Sequence, residues 1–207
     1  MNTPITKTPE QLVGADRRKC RLPLNSGVGP EEELMNEASL LTMRNHEILS
    51  LFADIIEELG RRGLTRSKNN PVADYAEHLV CKAFALTSAG KSTKGYDATD
   101  SAGKKYEIKS RRKSARSNPT RFSAIRDLQH RHFDFLVAVL FSQDFAVIRA
   151  ALIPYDRVLK LTFRQEHVNG WILPVRDSVW AADGVVDVTA RLKKIQEEEG
   201  RPTTAST

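Results

Sequence analysis

An α/β domain is what this chain predicts, on three observations. Two segments, one opening at Glu31 and one at Asn70-Pro71, carry apolar residues at helical spacing. Residues 96 to 111 read as a β-hairpin, and "FDFLVAVLF" (133–141) is a continuous apolar run of the buried central-strand type. At 207 residues the chain has room for one domain with extensions. With 40% hydrophobic and 28% charged residues it is too apolar to stay disordered.

Several classes are excluded early. The longest apolar run, Phe135 to Phe141, is far short of a membrane span, so no membrane partner is expected. No charged-then-apolar signal segment opens the chain. Cys20 and Cys81 lie far apart without metal spacing, so reduced thiols and a cytoplasmic location are expected. There is no Walker-type glycine loop, and no Ser or Cys nucleophile sits in a motif.

Residues 1–30 are polar, lack periodicity and read as a flexible basic tail (Arg17, Arg18, Lys19, Arg21). A helical arm follows over 31–64. Leu34, Leu41, Ile48 and Ile55 fall at seven-residue steps, as do Ala38, Phe52 and Leu59, with Asn45 interrupting the second row and Gly60 offering a stop. The seam is short and impure, which favours a helix packed on its own core. A homodimer through the 33–60 helix is the alternative. Residues 61–70 form a polar, basic linker.

The next helix begins with Asn70 as N-cap and Pro71 at the first helical position. Val72, Ala76, Leu79, Val80 and Ala83 give it an apolar face, and Glu77 sits at the margin of that face. Most such glutamates are simply solvated. This one acquires a role only beside a metal site.

In the hairpin, Tyr96–Asp100 and Lys104–Arg111 are strand-compatible, with Ser101-Ala102-Gly103 between them and Gly103 placed for a left-handed backbone. If Asp100 faces Lys104, Asp97 falls directly opposite Glu107, and directly opposed side chains share a face. Period two brings Lys109 and Arg111 to that face and turns Tyr106 and Ile108 away. Opposed like charges are destabilising unless compensated, and two converging carboxylates are hard-oxygen ligands of the type Mg²⁺ takes. Lys109 would then orient or help deprotonate an attacking water, as phosphodiester hydrolysis requires. The competing reading is a surface hairpin whose Glu107 and Lys109 simply alternate outward.

Charge is concentrated beside this hairpin. Lys104 to Arg126 holds nine basic residues against Glu107, a net +8 in a chain of net +6, so the remainder carries −2. A basic patch on a mildly acidic body fits either a polyphosphate partner or a solvated loop.

Here the sequence resembles the PD-(D/E)xK nuclease superfamily, whose pattern is a helix glutamate, a strand Asp, a hairpin and a Glu-x-Lys strand. The matching residues are Glu77 in "PVADYAEHLV", Asp97 in "GYDA" and Glu107-Ile108-Lys109 in "YEIKSRR", within residues 70–112, about a fifth of the chain. The signature proline is absent, since Tyr96 precedes Asp97. The resemblance implies a restriction-endonuclease-like fold, a mixed sheet flanked by helices, here with an N-terminal helical arm. It implies Asp97, Glu107 and Lys109 as catalytic residues, and Asp97, Glu107 and Glu77 as ligands for Mg²⁺, with Mn²⁺ as the other candidate. Nucleic acid, DNA ahead of RNA, is the expected partner, gripped by Arg111, Arg112, Lys113, Arg116 and Arg121. The nuclease-like core is expected over 65–176, and a C-terminal helix and tail over 177–207.

Downstream, Ser142–Asp144 reads as a turn, 145–153 as a strand, Pro154–Leu161 as a short helix, Trp171–Val175 as a further strand and Thr189–Glu199 as an amphipathic helix. Residues 113–132 are read as a nucleic-acid-contacting insertion ahead of a plain connector, with a helix at Phe122–Gln129. His130 and His132 read as solvated or capping, and Trp171 and Trp180 as core or interface residues ahead of base-stacking ones. The leading function is thus a metal-dependent endonuclease. The alternatives are a catalytically silent nucleic-acid-binding protein on the same fold and an accessory protein assembled through its helical arm.

Overall fold

The computed structural model describes residues 37–67, 70–90, 93–115 and 117–199. The 1–30 tail, the start of the helical arm, Arg116 and the chain beyond Glu199 lie outside the described residues.

The expected single helix of the arm is two. Helix α1 (Glu37–Thr42) belongs to a first compact unit ending at Arg44, and α2 (Asn45–Arg61) opens the second. The Thr42 hydroxyl donates to the Ser39 carbonyl (2.9 Å), a local bond that competes with helix continuation, and Asn45 is a residue type suited to starting a helix. Nor does α2 pack on a core of its own along most of its length: Ile56 is buried, while Ile48, Leu49, Phe52 and Ile55 remain exposed. Of the seven-residue rows, Ile48, Phe52 and Ile55 are thus solvent-facing on α2.

Helix α3 (Val72–Phe84) follows the linker; Pro71 rather than Asn70 takes the N-cap position, and the Asn70 Oδ1 accepts the Val72 N–H (3.2 Å) from one residue further out. Then come β1 (Thr87–Ser88), β2 (Ala98–Thr99), β3 (Lys105–Arg112), β4 (Phe135–Phe141), β5 (Val147–Pro154), α4 (Tyr155–Leu161), β6 (Phe163–Gln165), β7 (Gly170–Ile172), α5 (Asp177–Trp180), β8 (Val186–Asp187) and α6 (Thr189–Glu199). Six strands form one mixed sheet in the order β1-β2-β3-β4-β5-β8, in which β3 and β4 run parallel and the other pairs antiparallel. Strands β6 and β7 pair separately. This is the α/β architecture, a mixed sheet flanked by helices, that the sequence predicts.

Two cores cover the two faces of the sheet. Tyr106 and Ile108 of β3 and Val137, Val139 and Phe141 of β4 pack with Ala76, Leu79 and Val80 of α3 and Leu192 of α6. Leu136 and Ala138 face the other way, with Ala151 and Ile153 of β5, Val158 of α4, and Phe122, Ile125 and Leu128. Burial on both faces is why β4 reads as an unbroken apolar run.

The β3–β4 connection departs from expectation. Phe122, Ile125 and Leu128 are each 1% exposed and roof the second core. No helix forms at 122–129. The Phe122 N–H donates to the Leu173 carbonyl (2.9 Å), and Ile125 exchanges two 2.8 Å backbone bonds with Trp171. The backbone groups a helix would need are taken by this distant partner, which leaves only a 3₁₀ turn at Leu128–His130. Trp180 is buried, edge-on to Phe122, and Trp171 packs against the same core, as expected.

Candidate active site

The hairpin is built as its turn chemistry dictates. Gly103 has φ +77°, and the Asp100 Oδ1 accepts the N–H groups of Ala102 and Lys104 at 2.9 Å each. Ala98 then faces Tyr106 and Thr99 faces Lys105, which is the predicted register. Strand β2 pairs only with these two residues of β3. From Ile108 onward the edge of β3 looks into a cleft of about 570 Å³ lined by Asn70, Val72, Ala73, Glu77, Asp97, Ile108, Lys109, Ser110, Arg111, Arg112, Ser114 and Ser123.

Asp97 stands where β2 begins. Its N–H donates to the Tyr106 carbonyl (2.7 Å), its carbonyl accepts the Ala89 N–H (2.8 Å), and its Oδ2 accepts the Ile108 N–H (2.6 Å). The carboxylate thus satisfies the first backbone donor that β2 leaves behind. Gly95, two residues earlier, has φ +88°, and a Cβ there would collide with the His132 side chain. The approach to Asp97 is held between a turn only glycine takes readily and an imidazole. His132 in turn stacks on exposed His130.

Glu107 and Lys109 share the face opposite Tyr106 and Ile108, aligned with Leu136 and Ala138 of β4. Glu107 is buried, and the Lys109 Nζ pairs with its Oε1. Burial, followed by the charge of Glu107, pushes the Asp97 carboxyl from 3.8 up to about 6, while Lys109, the Ile108 N–H and Arg66 pull it back. Asp97, Glu107 and Lys109 therefore form one electrostatic cluster. The Ile108 N–H engages the Asp97 Oδ2, and the Lys109 Nζ engages the Glu107 Oε1. Two hard oxygens on adjacent strands, with like charges to be neutralised, suit a divalent cation. Among the described residues, no group of three or more His, Cys, Asp or Glu converges as a complete cage.

Glu77 borders the same cleft from α3, but its nearest charge is Arg66, whose Nη2 lies against the Glu77 Oε2. Arg66 belongs to the stretch read as a plain linker, and no sequence signal marks it. Its N–H and that of Ser67 donate to the Asp74 Oδ2 (2.9 and 2.8 Å), as does the Ser67 hydroxyl (2.8 Å). Burial opposes the Asp74 charge, yet these bonds outweigh it and hold the carboxyl below its ordinary value.

Of the expected phosphate-gripping residues, Arg111 and Arg112 line the cleft. The Arg111 Nε donates to the Arg121 carbonyl (3.2 Å), and Arg112 donates to the Gln143 carbonyl (2.6 Å) with its guanidinium over the Phe145 ring. Exposed Arg121 donates to the Gln165 Oε1 (2.9 Å), and Lys113 is half-buried at the end of β3. Backbone acceptors thus hold two of these arginines.

A mixed sheet whose second and third strands present Asp97 and Glu107-x-Lys109 side by side is consistent with the restriction-endonuclease-like fold. A PD-(D/E)XK nuclease superfamily domain matches residues 64–137, from the linker through α3 and the hairpin into β4. No curated protein matches the chain. Among the described residues, no helix is long and apolar enough to cross a membrane.

Proposed function

We propose that the protein is a metal-dependent endonuclease that hydrolyses phosphodiester bonds in nucleic acid, with DNA as the first substrate to test. The observation that carries this reading is Asp97 at the head of β2, next to the Ala98–Tyr106 pair and under the charge of Glu107, with Lys109 paired to Glu107. Asp97 and Glu107 would hold Mg²⁺ or Mn²⁺, with Glu77 on the cleft wall as a third ligand. Bound there, a divalent cation supplies Lewis-acid polarisation of the scissile phosphate and activation of water.

The chain's own residues do the rest. The Ile108 N–H fixes the Asp97 carboxylate against rotation. Lys109 orients the attacking water and steadies the charge that develops on the phosphoryl oxygens, where a preorganised cation acts on the transition state more than on the ground state. Arg111 and Arg112, at the cleft, and Lys113 and Arg121, beyond it, take the flanking phosphates. Such contacts are independent of sequence and weaken with salt.

The deciding experiment supplies Mg²⁺ or Mn²⁺ and single-stranded, duplex and branched DNA, and RNA, to the wild-type chain and to Glu107→Ala. Cleavage by the wild type alone supports the enzyme. If no substrate is cut, the reading that stands is a nucleic-acid-binding protein on this fold.

A further inference from the structure

Three acids border the site, and each faces a different situation. Glu107 is paired with Lys109, and Asp97 is held by a backbone N–H. Glu77 is paired with Arg66, its Oε2 shut off from solvent with the guanidinium against it. Arg66 is not a casual surface partner. Its backbone is pinned by Asp74, and its Nη1 donates to the Ser88 Oγ (2.6 Å) and the Ala89 carbonyl (3.1 Å). The guanidinium is thus fixed from the linker, α3 and β1 at once, and it shares a cavity of about 240 Å³ with Glu77 and Asp97. Its positive charge acts on Asp97 as well.

A carboxylate neutralised by a fixed guanidinium is a poor ligand. A cation drawing on Glu77 must displace Arg66 or tolerate a like charge beside it, and at such separations the repulsion of one unit charge is large. We propose that Arg66 is a positioning residue that withholds Glu77 from the divalent-cation site and so sets the site's affinity; this rests on the metal-dependent reading above. The resting site is a two-carboxylate site. The third ligand is engaged only when Arg66 lets go, and a substrate phosphate, itself a bidentate partner for a guanidinium, is the group that draws Arg66 away. Cation and nucleic acid then bind with positive coupling, each favouring the state the other needs.

The test is calorimetric titration of Mn²⁺ into the full chain without nucleic acid, each variant first shown to be folded by its thermal melt. Arg66→Met should tighten Mn²⁺ about tenfold, because it removes the competing charge. Arg66→Lys should restore the wild-type value to within about threefold, and Arg66→Gln, which keeps hydrogen-bonding groups without charge, replaces Met if Met impairs folding. Glu77→Gln should change wild-type affinity by less than about threefold but abolish the gain in the Arg66→Met background, the non-additivity of a coupled pair. An unchanged or weaker affinity in both charge-removing variants overturns the proposal. So does an equal Glu77→Gln effect in both backgrounds. If Mn²⁺ binding is lost in Asp97→Ala yet indifferent to Arg66, only this inference fails. If no form binds Mn²⁺, the metal-dependent reading fails with it.

Discussion

The two faces of β3 invite comparison, because one eight-residue strand serves two ends. Tyr106 and Ile108 point into the core beneath α3, where burial specifies them, with the Tyr106 hydroxyl also donating to the Asp100 Oδ2 (3.2 Å). Glu107 and Lys109, their immediate neighbours, point to the face where Asp97 stands, and there charge specifies them. The difference teaches that stability and chemistry are interleaved residue by residue along the strand. Substitutions one position apart should therefore move different observables.

The largest effect is expected on the charged face. Lys109→Ala should lower the Mg²⁺-dependent cleavage rate by about a thousandfold or more while DNA affinity stays within a few-fold, since one cation among many adds little to a distributed grip. A fall of less than about tenfold would remove the lysine from the chemistry. On the core face, Ile108→Ala should cost about 2–4 kcal/mol, lowering the melting temperature by roughly 6–12 °C. Cleavage by the fraction still folded should change little; a collapse in turnover without a fall in melting temperature would erase the distinction between the faces.

Asp97 lies on the boundary, and its titration has a definite sign. Its folded-state value near 6 is above the ordinary 3.8, so the stability it contributes is present below about pH 4 and lost as pH rises through 6. Asp97→Asn cannot ionise and should raise the melting temperature of the metal-free protein by a few degrees at about pH 7.5, with no gain at about pH 4. For the same reason Mn²⁺ affinity of the wild type should fall as pH is lowered through about 6, because proton and cation compete for one carboxylate. An affinity that stays constant between about pH 5 and pH 8 would place the cation elsewhere. The smallest effect belongs to the strand's end. Replacing Arg111, Arg112 and Lys113 together should flatten the salt dependence of duplex binding, by about 0.9 in log–log slope for each phosphate no longer neutralised.

The hairpin register is legible because turn length and a glycine at its last position leave few alternatives, and a period of two then assigns every side chain its face. Strand β4 and α6 are legible for a related reason, since burial imposes its own pattern over enough residues to be seen. The 122–129 segment misleads because Phe122, Ile125 and Leu128 have the spacing of a helix. What decides against a helix is the backbone of Trp171 and Leu173, far along the chain. Strands of two or three residues such as β1, β6 and β8 carry no periodic signal at all. Among the site residues, Asp97, Glu107 and Lys109 can be grouped from spacing alone. Arg66 cannot, because its place depends on how the linker folds back on Asp74, Ser88 and Glu77.

The early departure of β2 leaves β3 a border with no β2 residue beside it from Ile108 to Arg112, where the Asp97 carboxylate takes the Ile108 N–H. Such a border ordinarily templates a strand from another molecule, the first step of ordered aggregation. Here any copy pairing antiparallel about its centre would bring lysine and arginine against lysine and arginine. Along β3, Lys109, Arg111 and Arg112 supply a like-charge repulsion that opposes such pairing. A variant stripped of Lys109, Arg111 and Arg112 would lose that colloidal protection along with its affinity for phosphate.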